Sequence, residues 1–356
     1  MEKIIEKHYM LYPESKMADW FKLLYQSEFG NNHIPDNEKL NLKVLIDEIK
    51  CKKSNKTDIE DIGNNNMRVH LGYLEKSGLS YGRFVKIMME SRSMSKGSPD
   101  GFWSKVTLLE KAFKRLSVPI TTDEFHEFEK KYIEDENSTG SCHLLSHSDT
   151  YKEKYNPSYR VICSEYAEKM DLWAQVEKLV NHAARNKTTV NIAIDGMSTA
   201  GKSFLADMFS KIFDCNIIHM DDFFLRKQQR TYDRFLQPGG NIDYERFRQE
   251  VAFNLTSETG FIYYAYDCHS CNMSEKKAYP KTLNIVEGAY SMHPYFGNIY
   301  DLRIFMETDK KTQLERVLKR NGEELFERFK NEWIPLENTY IKSCKIKEKC
   351  DFVFRT

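Results

Sequence analysis

The sequence predicts an α/β domain with a mostly parallel sheet in its C-terminal half, preceded by a mainly α-helical N-terminal domain. From Thr189 onward, short apolar runs alternate with helical patterns, and a glycine-rich turn joins the first run to the first helix. Before about Arg160, apolar residues recur mostly at helical spacing. A chain of 356 residues is long enough for two domains that each bury a core.

The composition is that of an ordinary globular protein, with 40% hydrophobic and 13% aromatic residues. The 53 basic residues balance 53 acidic ones, so no overall field attracts nucleic acid or an anionic membrane. The first ten residues lack the apolar core of a secretory signal, no run is long enough to span a membrane, and the eight scattered cysteines are typical of reduced thiols. We therefore expect a cytoplasmic protein that binds neither nucleic acid nor membrane; homo-oligomerisation stays open.

The helical domain is predicted over residues 1–160 and is followed by a connecting helix over 161–188 and the α/β domain over 189–356. Helical spacing of apolar residues is found in the segments 16–29, 40–49, 69–74, 81–89, 102–116 and 122–133. Ser15 is placed to cap the first of these helices. The stretch 141–160 is rich in histidine and tyrosine, and it could contact a substrate or effector or pack the two domains together.

Six short apolar runs in the C-terminal half are predicted as strands: 190–194, 216–220, 261–266, 283–286, 302–306 and 352–354. Helical patterns separate them at 202–213, 244–256, 311–320 and 325–334. Because strands and helices alternate, the strands are expected to form a mostly parallel sheet with helices on both faces.

The turn after the first strand fits the phosphate-binding pattern G-x-x-x-x-G-K-S/T at every fixed position. Its residues are Gly196, Met197, Ser198, Thr199, Ala200, Gly201, Lys202 and Ser203. A strand before it and a helix after it are the context that this P-loop requires. Backbone N–H groups at the helix N-terminus would bind the phosphates, Lys202 would contact the β- and γ-phosphates, and the Ser203 hydroxyl would bind Mg²⁺. The motif predicts ATP and Mg²⁺, and leaves GTP open as the donor.

Two of the predicted strands are each followed directly by an acidic residue. Asp221 ends the second predicted strand, where it would accept a proton from an attacking hydroxyl and contact the water shell of the metal. Asp222 would orient Asp221 or cap a helix. Glu287 follows the run 283–286 and is either a second carboxylate near the metal or a solvated strand end.

From about Val190 to Phe354 these residues together resemble the uridine kinase and phosphoribulokinase family of P-loop kinases. The resemblance implies a phosphotransferase that moves the γ-phosphoryl group of ATP to a hydroxyl of a small molecule, a nucleoside first of all, with Asp221 as catalytic base. The stretch 238–244 is similar to the family's sugar-binding segment and implies that Asp243 binds the acceptor; N-capping of the next helix is its other interpretation. The stretch 264–270 resembles the nucleobase pocket and implies Tyr266 and His269 as contacts.

The resemblance also implies an arginine-bearing lid over the transferred group. Arg316 and Arg320 are the candidates, with Arg328 beyond them, and solvated helix charges are the alternative. This stretch holds fewer arginines than uridine kinases carry, so a sugar phosphate, glycerate or a pantothenate-like acid stays open as acceptor. A nucleotide-sensing regulator is the alternative of a different class, and Asp221 and Glu287 argue against it because a sensor needs no base for a second substrate.

Overall fold

The computed structural model describes residues 1–51 and 56–356, which form two compact units, Met1–Glu177 and Lys178–Thr356. Within the described ranges, every helix falls short of the length and apolar character that a bilayer-spanning segment requires. The two units are described separately below.

The first unit is mainly helical and contains one small antiparallel sheet. Its helices are α1 (Glu2–Leu11), α2 (Met17–Phe29), α3 (Glu38–Cys51), α4 (Leu71–Ser77), α5 (Tyr81–Arg92), α6 (Pro99–Leu116), α7 (Thr122–Thr139), α8 (Asp149–Tyr155), α9 (Ser164–Ala167) and α10 (Met170–Asn186), the last of which continues into the second unit. Its strands, β1 (Ile59–Gly63), β2 (Asn66–His70) and β3 (Tyr159–Cys163), pair in the order β1-β2-β3.

Helix α2 lies at the centre of the first unit because apolar residues cover more than one of its faces. Trp20, Phe21, Leu23 and Leu24 are each at most 1% exposed, and they pack with residues of α1, α6 and α7. The prediction that Ser15 caps this helix was wrong. The N-cap is Lys16, whose backbone N–H donates to the Asp19 carboxylate, while the Ser15 hydroxyl donates to the carbonyl of Tyr12.

The sequence did not predict the small sheet, and the predicted helix 69–74 was partly wrong. Strand β2 continues to His70 and helix α4 begins at Leu71. Four of the five residues of β2 are buried, so both of its faces are covered and the polar–apolar alternation of a half-exposed strand is missing. Over so few residues, helical spacing and a buried strand look alike.

The second unit is built on a five-stranded sheet in which every strand pair is parallel, in the order β10-β9-β4-β8-β5. The strands of this unit are β4 (Val190–Gly196), β5 (Cys215–His219), β6 (Phe261–Tyr266), β7 (Met273–Ala278), β8 (Leu283–Glu287), β9 (Leu302–Glu307) and β10 (Phe352–Arg355). Its helices are α11 (Lys202–Ile212), α12 (Tyr232–Phe235), α13 (Tyr244–Glu250), α14 (Lys310–Arg328) and α15 (Ile334–Ser343). This arrangement of parallel strands and flanking helices confirms the predicted fold class.

Strand β4 occupies the centre of the sheet, and all seven of its residues are buried. Strands β8 and β9 pair with it on either side, and β5 pairs with β8. In the register, Glu287 of β8 lies opposite Ile194 of β4 and His219 of β5. Because the strands are parallel, their carboxyl ends open onto one edge of the sheet, where ligands bind in such folds.

The run 261–266 is a strand, β6, but it does not belong to the parallel sheet. It pairs with β7 in a two-stranded antiparallel hairpin. Ile262 and Tyr264 are exposed while Tyr263 and Ala265 are buried, which is the alternation of a strand with one wet face. The helical patterns 311–320 and 325–334 are joined through α14, which is interrupted at Gly322 (φ 73°) and followed by a π-helical turn, Phe329–Trp333.

Candidate active site

The loop between β4 and α11 has backbone angles that residues other than glycine rarely adopt. Gly196 has a φ of 135°, and a Cβ atom on it would lie 2.0 Å from the carbonyl oxygen of Met306. Gly201 and Thr199 also have positive φ angles, of 89° and 59°. Among the described residues, the backbone N–H groups of Gly201, Lys202 and Ser203 have no acceptor. Free N–H groups at a helix N-terminus form a binding site for phosphate.

Lys202 and Ser203 begin helix α11 and face the end of the sheet. The Lys202 ammonium donates to the carbonyl oxygens of Gly196 and Met197, each at 2.9 Å, so it lies folded back over the loop. The Ser203 hydroxyl is 3.2 Å from both carboxylate oxygens of Glu287. The structure therefore brings Ser203 and Glu287 together, although 84 positions separate them.

Glu287 also holds a histidine to which sequence reasoning gave no role. Its carboxylate is 4% exposed and lies 2.5 Å from Nδ1 of His219, the register partner on β5. The hydrogen bond to Glu287 is the main cause of a raised pKa at His219, against a smaller effect of burial. The contact with Glu287 therefore stabilises the protonated form of the His219 ring relative to the neutral form.

Asp221 lies in the 3₁₀ turn Met220–Phe223 that follows β5, and its carboxylate accepts no hydrogen bond from the described residues. Its side chain is exposed to solvent, yet the surrounding protein desolvates it enough to raise the pKa of its carboxyl group, while Lys202 lowers that pKa. The charges of Glu287, His219 and Arg320 also act on it. Asp222 differs, because Nζ of Lys276 lies 2.9 Å from both of its carboxylate oxygens.

The chemistry of these side chains fits Mg²⁺. Across residues 1–51 and 56–356, no group of three or more His, Cys, Asp or Glu could hold an ion by itself. Mg²⁺ does not require one, because it keeps several waters and takes only one or two protein oxygens together with phosphate oxygens. The Ser203 hydroxyl and the Glu287 carboxylate supply that number of oxygens next to the phosphate-binding loop.

Asp243 is the N-cap of helix α13 and is 2% exposed. Its carboxylate accepts from the backbone N–H of Arg246 at 3.2 Å and from the side-chain amide of Gln229 at 2.8 Å. Its own backbone N–H donates to the carbonyl of Phe223 at 2.7 Å, which attaches it to the turn that carries Asp221. A cavity of about 580 Å³ lies beside it and is lined mainly by polar and charged groups, including Arg226, Gln229, Arg234, Asp243, Glu245 and Arg246.

Tyr266 and His269 lie at the end of the β6–β7 hairpin in different surroundings. Tyr266 is the last residue of β6 and is 6% exposed. His269 is exposed in the turn that connects the two strands, where its backbone N–H donates to the Asp267 carboxylate at 2.9 Å. The hairpin itself is attached to the site through the ion pair between Lys276 and Asp222.

The three candidate arginines of α14 make different contacts. Arg316 donates to the carbonyl of Thr199 at 3.2 Å and to the hydroxyl of Thr356 at 2.8 Å, so it ties the P-loop to the C-terminal strand. Arg320 lies close enough to Asp221 for its charge to act on that carboxylate. Arg328 pairs with Glu332 and lies over the ring of Trp333, with 4.7 Å between the guanidinium carbon and the ring centre.

The second unit has the fold of P-loop kinases. Its parallel five-stranded sheet with flanking helices, the free N–H groups of the loop and the lysine and serine that begin α11 fit this fold. No protein-family model and no curated protein matches the chain.

Solved structures of several kinases resemble about half of the chain. A possible uridine kinase from Bacillus stearothermophilus is 17% identical, covering 51% of this chain and 99% of its own, with a TM-score of 0.38. A proposed fructose transport system kinase from Silicibacter sp. TM1040 is 19% identical, covering 47% and 90%, with a TM-score of 0.40. Shikimate kinase from Bacteroides thetaiotaomicron is 17% identical, covering 47% and 86%, with a TM-score of 0.26. At these identities the similarities say nothing about substrate.

Two buried carboxylates of this P-loop unit escaped sequence reasoning. Asp195, at the end of β4, is fully buried and accepts from the Tyr340 hydroxyl at 2.8 Å and from three backbone N–H groups. Glu337 on α15 is 8% exposed and accepts from the backbone N–H and the hydroxyl of Ser198, at 3.0 and 2.6 Å. Burial raises the pKa of both carboxyl groups. Asp195 could have been found from the sequence, because it directly precedes the first glycine of the motif. Glu337 could not, because it lies 139 positions from Ser198.

Proposed function

We propose that this protein is an ATP- and Mg²⁺-dependent kinase that transfers the γ-phosphoryl group to a hydroxyl of a small molecule, with a nucleoside as the first acceptor to test. The observation that carries the proposal is the state of Asp221. Its carboxylate has no protein partner in the described residues and lies within the field of Lys202 and Arg320. A protein that only binds a nucleotide needs the P-loop and nothing more. Phosphoryl transfer to a hydroxyl also needs a base, and a carboxylate without a protein partner at this position can be that base.

On the donor side, the N–H groups of Gly201, Lys202 and Ser203 would bind the phosphates of ATP. The Lys202 ammonium, which rests on two loop carbonyls, would turn to the γ-phosphate. Bound Mg²⁺ would neutralise charge on the β- and γ-phosphates, and Ser203 and Glu287 would be its nearest protein oxygens. His219 would keep the Glu287 carboxylate oriented toward Ser203.

On the acceptor side, Asp221 would accept the proton of the attacking hydroxyl as its oxygen forms the new bond to phosphorus. The bond between the γ-phosphorus and the bridging oxygen breaks, and its electron pair leaves with ADP. Desolvation supports this role, because it raises the pKa of Asp221 and makes the carboxylate a stronger base than an exposed aspartate. Lys202 and Arg320 would stabilise the charge of the transferring group.

The polar cavity beside Asp243 supports a polyhydroxyl acceptor. We assign acceptor binding to Asp243, Tyr266 and His269, as the resemblance of their segments implies. Asp243 would act while it caps α13, because an ionised carboxylate offers about four acceptor positions and the backbone N–H of Arg246 and the Gln229 amide fill two of them. Tyr266 and His269 would then approach the base from the hairpin.

The test is acceptor-dependent release of ADP from the full chain with ATP, Mg²⁺ and a panel of nucleosides, sugars, sugar phosphates, glycerate and pantothenate. We expect one compound to raise the rate well above the hydrolysis background. Asp221→Asn should then lower this rate by about two to three decades, or roughly 3–4 kcal/mol, and leave ATP affinity nearly unchanged. Asp214→Asn is the control, because that carboxylate is 84% exposed and paired with Lys281, and it should keep most of the activity.

Equal turnover in wild type and Asp221→Asn would remove the assigned base. A flat response across the panel with ATP still bound would instead favour a nucleotide-sensing regulator.

A further inference from the structure

The first unit contains a cavity that the proposed kinase reaction does not use. Its volume is about 400 Å³, and its lining comes entirely from residues between 22 and 161. One side is apolar and includes Leu40 and Val44, which are 44% and 50% exposed, together with Leu144. The other side is polar and includes Lys22, Gln26, His147, Tyr159 and Arg160. Three of these polar residues belong to the segment 141–160, whose richness in polar side chains stands out in the sequence.

Lys22, on α2, is a partly buried cation without a counter-ion. Its ammonium donates to the carbonyl oxygen of Leu145 at 2.8 Å, and no carboxylate of the described chain lies within ion-pairing distance. Burial, followed by repulsion from Arg68, lowers the pKa of Lys22 to about 8. The group is still mostly protonated at neutral pH, and an anion placed beside it would relieve both effects.

Gln26 lies one helical turn further along α2 and is 4% exposed. Its side-chain oxygen accepts two hydrogen bonds from the guanidinium of Arg68, at 3.1 and 2.8 Å, which fixes the orientation of the amide. The amide nitrogen therefore points the other way. Within the described chain this nitrogen has no acceptor, and Gln26 is one of the residues that line the cavity. Residues four apart share a helix face, so Lys22 and Gln26 present two donors side by side.

The wall behind these donors is held rigidly by hydrogen bonds around the buried, ionised carboxylate of Asp19. Asp19, which is fully buried, accepts from Ser148 at 2.6 Å and contacts Nδ1 of His147 at 2.7 Å, and Nε2 of His147 lies 2.6 Å from the Tyr159 hydroxyl. Burial lowers the pKa of His147 to about 4, so the ring is neutral at pH 7; it donates to Asp19 and accepts from Tyr159.

The remaining charges at the cavity cancel. The guanidinium of Arg160 is paired with Glu48 at 2.7 Å. The ionised Asp19 attracts Lys22 from behind the wall, but its carboxylate is fully buried and does not line the cavity. Lys22 therefore lines the cavity as a cation with no carboxylate of the described residues within ion-pairing distance. One positive charge and two adjacent N–H donors match a carboxylate, whereas a doubly charged phosphate would leave one negative charge unpaired in a partly buried site.

We propose that this cavity binds a small organic carboxylate with an apolar body. The carboxylate oxygens accept hydrogen bonds from Lys22 and Gln26, and the body packs on Leu40, Val44 and Leu144, covering apolar surface that is now exposed to water. This site is independent of the proposed kinase function, since it uses no residue of the P-loop unit.

The test is calorimetric and ligand-observed NMR titration of the full chain with phenylacetate and hexanoate, compared with 2-phenylethanol and phenyl phosphate. We expect saturable binding of the carboxylates and at least about tenfold weaker binding of the alcohol, which has the same body without the charge. Lys22→Met should weaken carboxylate binding by about tenfold or more, and Lys22→Arg should restore most of it. Lys130→Met, which removes an exposed lysine of α7, is the matched control and should change nothing.

Lys202→Met separates this site from the P-loop and should leave carboxylate binding intact. The proposal is overturned if neither carboxylate binds saturably, if Lys22→Met binds as wild type does, or if Lys130→Met weakens binding equally. It is also overturned if phenyl phosphate binds best and ATP displaces it, because the probe would then occupy the P-loop. Thermal unfolding of each variant verifies that the first unit is folded.

Discussion

At the scale of single residues, the candidate site depends on which carboxylates have protein partners. Asp221 has none in the described chain, whereas Asp222 is held by Lys276 and Asp243 by the first turn of α13. Three aspartates that lie within a short stretch of sequence thus differ in what they can do for a substrate. The difference arises from hydrogen bonding rather than from residue type.

Glu337 is the residue whose role can be tested most directly at this scale. Glu337→Ala leaves the backbone N–H and the hydroxyl of Ser198 buried without an acceptor. We expect a loss of about 1–3 kcal/mol in the free energy of unfolding of the second unit, and weaker ATP binding because the loop is no longer fixed. Urea unfolding with and without ATP measures both effects.

Glu337→Gln is the matched variant, because its amide oxygen can still accept from Ser198. We expect it to cost less than about 1 kcal/mol. If both variants unfold as wild type does, the contact does not stabilise the loop.

At the scale of elements, the P-loop is formed by β4, the turn and α11, which follow one another without interruption. The turn needs Gly196 at a position where a Cβ atom would meet the carbonyl of Met306 on β9 at 2.0 Å. The close approach of β4 and β9 thereby fixes the start of the phosphate-binding loop. This is a property of two paired strands and not of the loop alone.

Gly196→Ala should therefore push β9 away from the loop. We expect a loss of at least about 1–3 kcal/mol in unfolding free energy and a strong loss of ATP binding. Thermal unfolding and ATP titration check the two effects.

Gly297→Ala is the control, because Gly297 also has a positive φ of 71° but no atom lies within 4 Å of a Cβ built there. It should show only the strain of the backbone, about 1–3 kcal/mol because its ψ is −148°, and unchanged ATP binding. Equal effects at both glycines would mean that backbone strain and not the contact with β9 matters.

At the scale of the whole molecule, the two units differ in which ionisable groups they bury. The first unit buries His8 and His147 as neutral rings, each with a pKa lowered to about 4 mainly by burial. The second unit also contains such a ring, His293, with a pKa lowered to about 4 mainly by burial, but it buries Asp195 and Glu337 with raised pKa values as well. The units should consequently respond differently to acid.

We expect the first unit to lose stability as the pH falls from about 6.5 to 4. In this window the unfolded chain binds protons at His8 and His147 while the folded unit does not, so the free energy of unfolding decreases as the pH falls. The loss is up to roughly 3 kcal/mol for each histidine. In the second unit the sign is reversed for Asp195 and Glu337, because the folded state holds protons there more tightly than the unfolded state.

Differential scanning calorimetry between pH 7 and 4.5 measures this, with ATP identifying the transition of the second unit by raising its midpoint. Equal downward shifts of both transitions would contradict the expectation.

The sequence by itself determined the features that adjacent residues specify. The P-loop could be predicted because its strand, turn and helix are contiguous and its chemistry needs fixed residue types at fixed spacing. The parallel sheet followed from the alternation of strands and helices, and the location of Asp221 just after a strand followed from the end of an apolar run; its role as a base stays a prediction.

Tertiary structure alone decided the contacts between distant segments. The pairing of His219 with Glu287, the anchoring of Ser198 by Glu337 and the N-capping position of Asp243 against the Phe223 turn depend on packing. The hairpin of β6 and the two-sided burial of β2 also depend on packing. The spacing of apolar residues shows which residues are buried but not which segment covers them. The cavity around Lys22 and Gln26 is the clearest case: its wall joins α2 to residues more than a hundred positions away, and only the folded chain places them together.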